Sequence, residues 1–292
     1  MKTTYTKEYP MRKIIILALA CLLIFTGCTT GNIKEERNTY PATEEASYDG
    51  TETESAAEET TSESETESIE ETTAEPSVFI PKDSVNLTSE NQIITFGSYE
   101  QDNDETDGSE PIEWYVLAES NDCLMLVSLY GIDCKQYNSE RTEVTWENCE
   151  LREWLNSDFY NTAFNKEERE RIQLTHVKNG INELCGTDGG ADTEDYVYLL
   201  SVPEAIEYFY AEYACDGGYS VNSYGRCTPT EYTIARGAWY GKDGAGYPCA
   251  SYWLRSTGYN NTYAANVSGY LFYGGYYVDD DAYMVRPVIW IR

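Results

Sequence analysis

A single histidine, nine cysteines and 51 carboxylates are what this chain offers for acid–base, nucleophilic or metal chemistry. A Ser-His-Asp or Cys-His enzyme would need that histidine, His176, as its base. It stands in QLTHVKNG with no nucleophile signature beside it, which reads as a structural or exposed residue. Seven cysteines fall late enough to belong to a folded domain: Cys123, Cys134, Cys149, Cys185, Cys215, Cys227 and Cys249. None forms a CxxC, so a zinc site is not expected. An odd number cannot all pair within one chain. Cys227 with Cys249, which flank one segment, is one arrangement; buried free thiols are the other. Carboxylates abound, but glycosidase chemistry needs two at a defined separation, and abundance identifies no pair. DNDETDG suggests a calcium loop until its register is counted. Starting at Asn103, Gly108 is sixth but Trp114 is twelfth; starting at Asp102, the sixth is Asp107. A solvated hairpin loop is expected there. GxGxxG, P-loop and HExxH patterns do not occur. The chain therefore predicts no catalytic residue, no metal and no cofactor.

A different chemistry is written in the last stretch, YNNTYAANVSGYLFYGGYYVDDDAYMVRPVIWIR (Tyr259–Arg292). Ala264, Ala265, Val267, Leu271, Val278, Val285, Arg286 and Pro287 read as a scaffold. Between them stand Tyr259, Asn260, Asn261, Tyr263, Asn266, Ser268, Tyr270, Phe272, Tyr273, Tyr276, Tyr277, Asp279, Asp280, Asp281 and Tyr283. Glu and Lys are absent. Tyrosine gives a large contact area with few torsions to freeze, and Asn and Ser add adaptable hydrogen bonds, as in antibody paratopes. These residues are the candidate binding site. The competing reading is a tyrosine-rich sheet with one solvated face. In GYLFYGGYYV, strand alternation puts Tyr270 and Phe272 on one face and Leu271 on the other. Arg255 and Arg286 stand in β segments among large apolar neighbours. They predict partly buried guanidiniums that pin loops by several hydrogen bonds.

The elements that must hold this tail are legible as patterns. Ile93–Gly97, Ile112–Leu117 and Cys123–Leu129 read as an antiparallel meander. Thr145 caps a helix whose apolar face is Leu151, Trp154 and Leu155. Asn165 and Glu168 form a capping box for a helix in NKEERERIQ. Tyr196–Leu200 reads as a strand. Ser201, with Pro203 and Glu204 behind it, caps SVPEAIEYFYAEYA. A shorter helix runs from Thr228 through Ala235. YWLRS, AANV, GYLFYGGYYV and VRPVIWI are strands. The class is α+β, with N- and C-terminal strands in one antiparallel sheet and helices between.

The beginning of the chain addresses it outward. Lys2, Lys7, Arg12 and Lys13 precede an apolar run, Ile14 to Phe25, too short to span a bilayer stably. Phe25-Thr26-Gly27-Cys28 follows and resembles a bacterial lipobox. That resemblance implies a signal peptide over 1–27, lipidation of Cys28 and display at the cell surface. Residues 28–80, rich in Glu, Thr and Ser, read as a disordered tether with a span on the order of 40 Å. Residues 81–292 remain for one domain. The formal net charge of −31 makes nucleic acid and anionic membranes poor partners, leaving the lipid anchor as the membrane attachment.

FGSYEQDN, PIEW, LREWLN, WLRSTG and VRPVIWI together resemble a group of exported bacterial domains over nearly all of Gln92 to Arg292. The closing part is similar to the C-type lectin fold in its formylglycine-generating-enzyme-like branch, where the final strands carry a ligand site. Those enzymes use a close pair of late cysteines. Here Cys227 and Cys249 are far apart in sequence and no cysteine follows, which argues against that oxidase chemistry. Calcium-dependent sugar binding would need EPN or QPD with WND. Glu110-Pro111-Ile112 and Trp146-Glu147-Asn148 do not supply them. The tail is similar to the variable proteins of diversity-generating retroelements. There, mutation of adenines in AAC or AAT codons yields Asn, Tyr, Asp, Ser, Thr, Gly, Ala and Phe, and never Lys, Glu, Gln, Met or Trp. The resemblance implies a surface lipoprotein that binds a protein or glycan through a hypervariable face. A formylglycine-generating-type oxidase and an envelope module without a specific ligand are the alternatives.

Overall fold

The two ends of the domain meet in one sheet. The computed structural model describes residues 76–213, 219–242, 248–268 and 270–292, and for residues 211–213, 219, 220, 248, 249 and 270–273 the backbone alone. They belong to the second of two units, Glu70–Arg292. The signal segment, Cys28 and the tether as far as residue 75 lie outside the described residues. Packing begins just ahead of the expected Pro81 boundary. The Phe79 N–H donates to the Leu174 carbonyl at 2.6 Å, and its ring lies 5.3 Å from that of Trp290.

Two main sheets are built, in chain order, from β1 (Val85–Asn86), β2 (Ile93–Tyr99), β3 (Glu110–Ser120), β4 (Cys123–Ser128), β5 (Asp133–Cys134), β6 (Tyr210–Tyr213), β7 (Tyr219–Val221), β8 (Tyr252–Thr257), β9 (Tyr263–Val267), β10 (Tyr270–Tyr277), β11 (Met284–Val285) and β12 (Val288–Ile291). The helices are α1 (Glu150–Trp154), α2 (Tyr160–Ala163), α3 (Lys166–Arg169), α4 (Val202–Phe209) and α5 (Glu231–Ala235). The class is α+β, mostly strand.

The first sheet runs β1-β3-β4-β12, with β2 also on β3. The expected meander is present and antiparallel. Asn121 and Asp122, both at positive φ, close the tight β3–β4 hairpin, the backbone that a two-residue turn requires. A register shift between Val116 and Ala118 lets Val116, Leu117 and Ala118 all be buried despite strand alternation. β12 pairs antiparallel with β4, Trp290 opposite Met125, so N- and C-terminal strands share this sheet. The second sheet runs β5-β11-β8-β9-β10-β7-β6. The chain crosses between the sheets at Ile132 and again at Arg286-Pro287. Arg286 is buried at this second crossing, where its Nε donates to the Ser128 carbonyl at 2.9 Å and its guanidinium lies 5.1 Å from the rings of Phe209 and Tyr252. That is the pinning role expected of it.

Four helical expectations differ in extent, and the one from Thr228 begins only at Glu231, behind the Thr230 cap, because Thr228–Pro229 is a short strand. Thr145 caps only a 3-10 turn, Trp146–Asn148, and α1 starts after the extended Cys149. The indole of Trp146 donates to Asp195 Oδ2 at 2.8 Å, which draws that turn into the core before the helix begins. α1 then passes through a wider π turn, Leu155–Phe159, into α2. The Asn165–Glu168 box is present, but α3 is a single short turn. α4 carries the expected box, Ser201 with Glu204, and buries Val202, Ala205, Tyr208 and Phe209. It then runs directly into β6.

Residues 196–200 are not the expected strand. The strand lies earlier, at Thr193–Asp195, and Tyr198 makes one isolated bridge to Val288. Side chains take several of the other backbone groups. Asn156 Oδ1 accepts from the N–H of Tyr196 and Val197, and Arg255 Nη1 donates to the Leu199 carbonyl at 2.6 Å. Among the described residues, no helix is long and apolar enough to cross a membrane.

Candidate binding site

β9 is the spine of the tail. Its neighbours are β8, with Trp253 opposite Asn266, and β10, with Tyr263 opposite Tyr277 and Ala264 opposite Tyr276. Ala264, Ala265, Val267, Val278, Val285 and Arg286 are buried as the scaffold reading requires. Gly274 and Gly275 make the close approach of β10 possible. Gly275 adopts φ +71, and a Cβ there would run into the Ala264 carbonyl; a Cβ on Gly274 would meet the Tyr259 ring.

On this support the tyrosines form a continuous series of rings. Tyr259 meets Tyr263 at 6.2 Å, Tyr263 meets Tyr277 at 4.4 Å, and Tyr277 meets Tyr276 at 6.0 Å. Tyr276 meets Tyr283 at 5.6 Å, and Tyr283 stacks on Trp253 at 4.2 Å. The series runs from Tyr259, 72% exposed, to Trp253 in the core. Arg141 covers the middle of the series. Its guanidinium lies 3.6 Å over the Tyr277 ring, and its Nε donates to Asp279 Oδ1 at 2.8 Å. That hydrogen bond holds the Asp279 carboxyl below its usual value.

Beside the ring series opens a cavity of about 450 Å³. Asn266, Ser268, Tyr276, Asp280 and Tyr283 line it, all named by the sequence, together with Trp239, Ser251 and Ala282, which were not. The Trp239 N–H donates to the Ala282 carbonyl at 3.0 Å, fixing the far wall. Burial, the Asp280 carboxylate and Tyr276 all push the Tyr283 hydroxyl up. Trp239 went unnoticed because a lone tryptophan reads as core, yet it is 59% exposed. Its one signal is an aromatic pair, Trp239-Tyr240, set between glycines with no apolar period.

Other named residues do different work. Asn266 is buried at 3%, not displayed, because it sits on the central strand of the three. Asn260 Oδ1 accepts from the Thr262 N–H and hydroxyl, so it shapes its own turn. The Asn261 carbonyl accepts from the Val144 N–H, and its Nδ2 donates to the Asp188 carbonyl. Asp281 turns to a second cavity with Lys135 and Arg236. Tyr270, Phe272 and Tyr273 stand on β10, but their side chains, and so their alternation with Leu271, lie outside the described residues.

The residues weighed for chemistry are held otherwise. His176 Nε2 lies 3.3 Å from Asp192 Oδ2. Cys123, Cys134 and Cys149 are free and buried, and burial above all pushes the Cys134 and Cys149 thiols up to about 12, so neither offers a thiolate at neutral pH. The Cys227 carbonyl accepts from the Ala250 N–H, which places the Cys227 and Cys249 segments side by side; the Cys249 side chain lies outside the described residues. Carboxylate oxygens of Glu100, Asp102 and Glu110 converge within 4.8 Å where the QDNDETDGSEP loop begins and ends, and Glu110 accepts there from the N–H of Gln101 and Asp102. Arg255 is buried and bonded to Glu204, Asn179 and the carbonyls of Lys178 and Leu199, again the structural role expected.

A family model described as a domain of unknown function, DUF6273, matches residues 121–292. No curated protein and no solved structure matches the chain.

Proposed function

This chain belongs to the DUF6273 family, and on that premise we propose that it is a surface-displayed lipoprotein that binds a macromolecular or glycan ligand through its C-terminal face. The observation that carries the reading is the ring series from Tyr259 to Tyr283, exposed at one end and stacked on the core at the other. Binding energy concentrates in aromatic and Arg side chains that are rigid before contact. Tyr283 is held by Trp253, and Tyr277 by Arg141 and Tyr263, so little side-chain freedom is left to lose. A merely solvated face would not need its tyrosines stacked in series.

Lipidation at Cys28, export and the tether complete the proposal as the means of display. The scaffold is proposed as C-type-lectin-like, supported by N- and C-terminal strands sharing a sheet and a late strand group carrying the site. Diversification of the tail by a retroelement is proposed from its residue types, and a near-copy of the tail's coding sequence differing at adenines would support it.

The binding claim is tested by probing glycan and surface-protein arrays with the full chain and with Tyr259→Ala/Tyr276→Ala. Signals lost in the double variant, at unchanged melting temperature, are expected. Signals that survive the double variant place binding elsewhere.

A further inference from the structure

The cavity beside the ring series has a chemistry of its own. Three rings from three segments line it: Trp239, Tyr276 on β10, and Tyr283. Trp239 and Tyr276 are 59% and 46% exposed, so their faces are open to a ligand. Tyr283 is held in place, because it stacks on Trp253 and lies tilted against Tyr276 at 5.6 Å. One carboxylate joins them. Among the described residues its neighbour Asp279 has a cation, Arg141, whereas Asp280 has none and accepts only the Ala282 N–H, at 3.0 Å. No Lys or Arg is among the described residues that line the cavity.

We propose that this cavity receives a methylated ammonium group of the choline type, the cationic end of a ligand of the C-terminal face. The proposal rests on the reading of that face as a binding surface and names what the surface recognises. A quaternary ammonium spreads its charge over methyl groups and holds water weakly. It is drawn to the negative faces of aromatic rings, Trp most strongly, and needs no converging hydrogen-bond acceptors. The cavity supplies ring faces and one uncompensated carboxylate. Burial first, and then the Asp280 carboxylate, push the Tyr283 hydroxyl up, so it stays neutral in the wall of the cavity. An anion would be repelled, here and by the net charge of −31. A neutral sugar could lie on Trp239 and use Ser251 and Ser268, but would leave the Asp280 charge unanswered. A primary ammonium would need several oxygen acceptors to replace its stronger hydration.

Isothermal titration of the full chain with choline tests this, alongside 3,3-dimethylbutan-1-ol, its uncharged isostere, methyl glucoside and lysine. Choline is expected to bind saturably, and the isostere about tenfold more weakly or worse. Trp239→Ala, an exposed position, is expected to lose choline binding at unchanged melting temperature. Asp280→Asn keeps the shape of the side chain and is expected to weaken choline without affecting the isostere. Equal binding of choline and its isostere overturns the proposal, as does binding of the sugar or lysine in preference to choline, or no binding of choline at all. If arrays show ligands that need Tyr259 and Tyr276 while choline does not bind, this inference fails and the wider reading stands. If choline binds and the arrays stay empty, this inference stands and the macromolecular or glycan ligand proposed for the wider face fails.

Discussion

Tyr283 stacks on Trp253 with ring centroids 4.2 Å apart and planes 25° from parallel. Trp253 is wholly buried, and its indole N–H donates to the Lys135 carbonyl at 2.9 Å. The pair therefore joins the core to the floor of the cleft. Tyr283→Ala is expected to cost about 2 kcal/mol through lost area and the lost ring pair. Tyr283→Phe keeps the stack and is expected to stay within about 0.5 kcal/mol of wild type. Urea midpoints at constant slope measure both.

Tyr259→Ala and Tyr276→Ala are expected to leave stability within about 0.5 kcal/mol, because both are exposed positions, at 72% and 46%. Thermal unfolding checks this. A larger loss would mean that these rings support the sheet rather than being displayed by it.

Gly275→Ala separates scaffold from display in the opposite direction. The position combines φ +71 with a backbone oxygen where the methyl would go. Loss of more than about 1 kcal/mol is expected. Amide exchange should locate it in β9 and β10.

The pair between Arg255 and Glu204 predicts acid sensitivity. Burial would raise the Glu204 carboxyl, but the Arg255 guanidinium and the Ser201 N–H and hydroxyl outweigh it and hold the carboxyl below its usual value. The unfolded chain thus takes up this proton first as pH falls. The stabilisation is complete above the unfolded value of about 4.3 and is lost as pH falls through the lower folded value. Glu204→Gln leaves the buried guanidinium without its countercharge, at a cost of about 3 kcal/mol at neutral pH. Its urea midpoint should then fall less steeply than that of wild type below about pH 4.

Arg286 has two donor groups satisfied, Nε on Ser128 and Nη1 on the Tyr252 hydroxyl, while Nη2 is buried without a partner. Its planar group lies 5.1 Å from the rings of Phe209 and Tyr252. Arg286→Lys keeps the charge but loses the plane and the fork. It is expected to destabilise by about 2 kcal/mol in chemical unfolding.

Local signals made much of this fold legible. Ser201 with Glu204 and Asn165 with Glu168 mark helix starts because each side chain satisfies a backbone N–H that the sequence itself locates. The apolar patterns of Ile112–Leu117 and Val288–Ile291 mark strands, and chain order suggested that they share a sheet. Tyr196–Leu200 misled because its partners, Asn156 and Arg255, are distant in sequence and act through side chains. The same cause hid Trp239 and Arg141, which reach the site from outside the tail. Asn266 misled because its residue type suits display, while its place is decided by β8 and β10 on either side. Composition named the tail as a candidate site; spatial neighbours decide which of its residues face outward.

The central claim is that the C-terminal ring face contacts the ligand. Hydroxyl-radical footprinting of the full chain, alone and with a ligand found on the arrays, tests it most directly. Protection centred on Tyr259, Tyr276 and Trp239 is the predicted result. Unchanged labelling of these rings, with protection instead around the exposed Ile181 and Leu184, would contradict it.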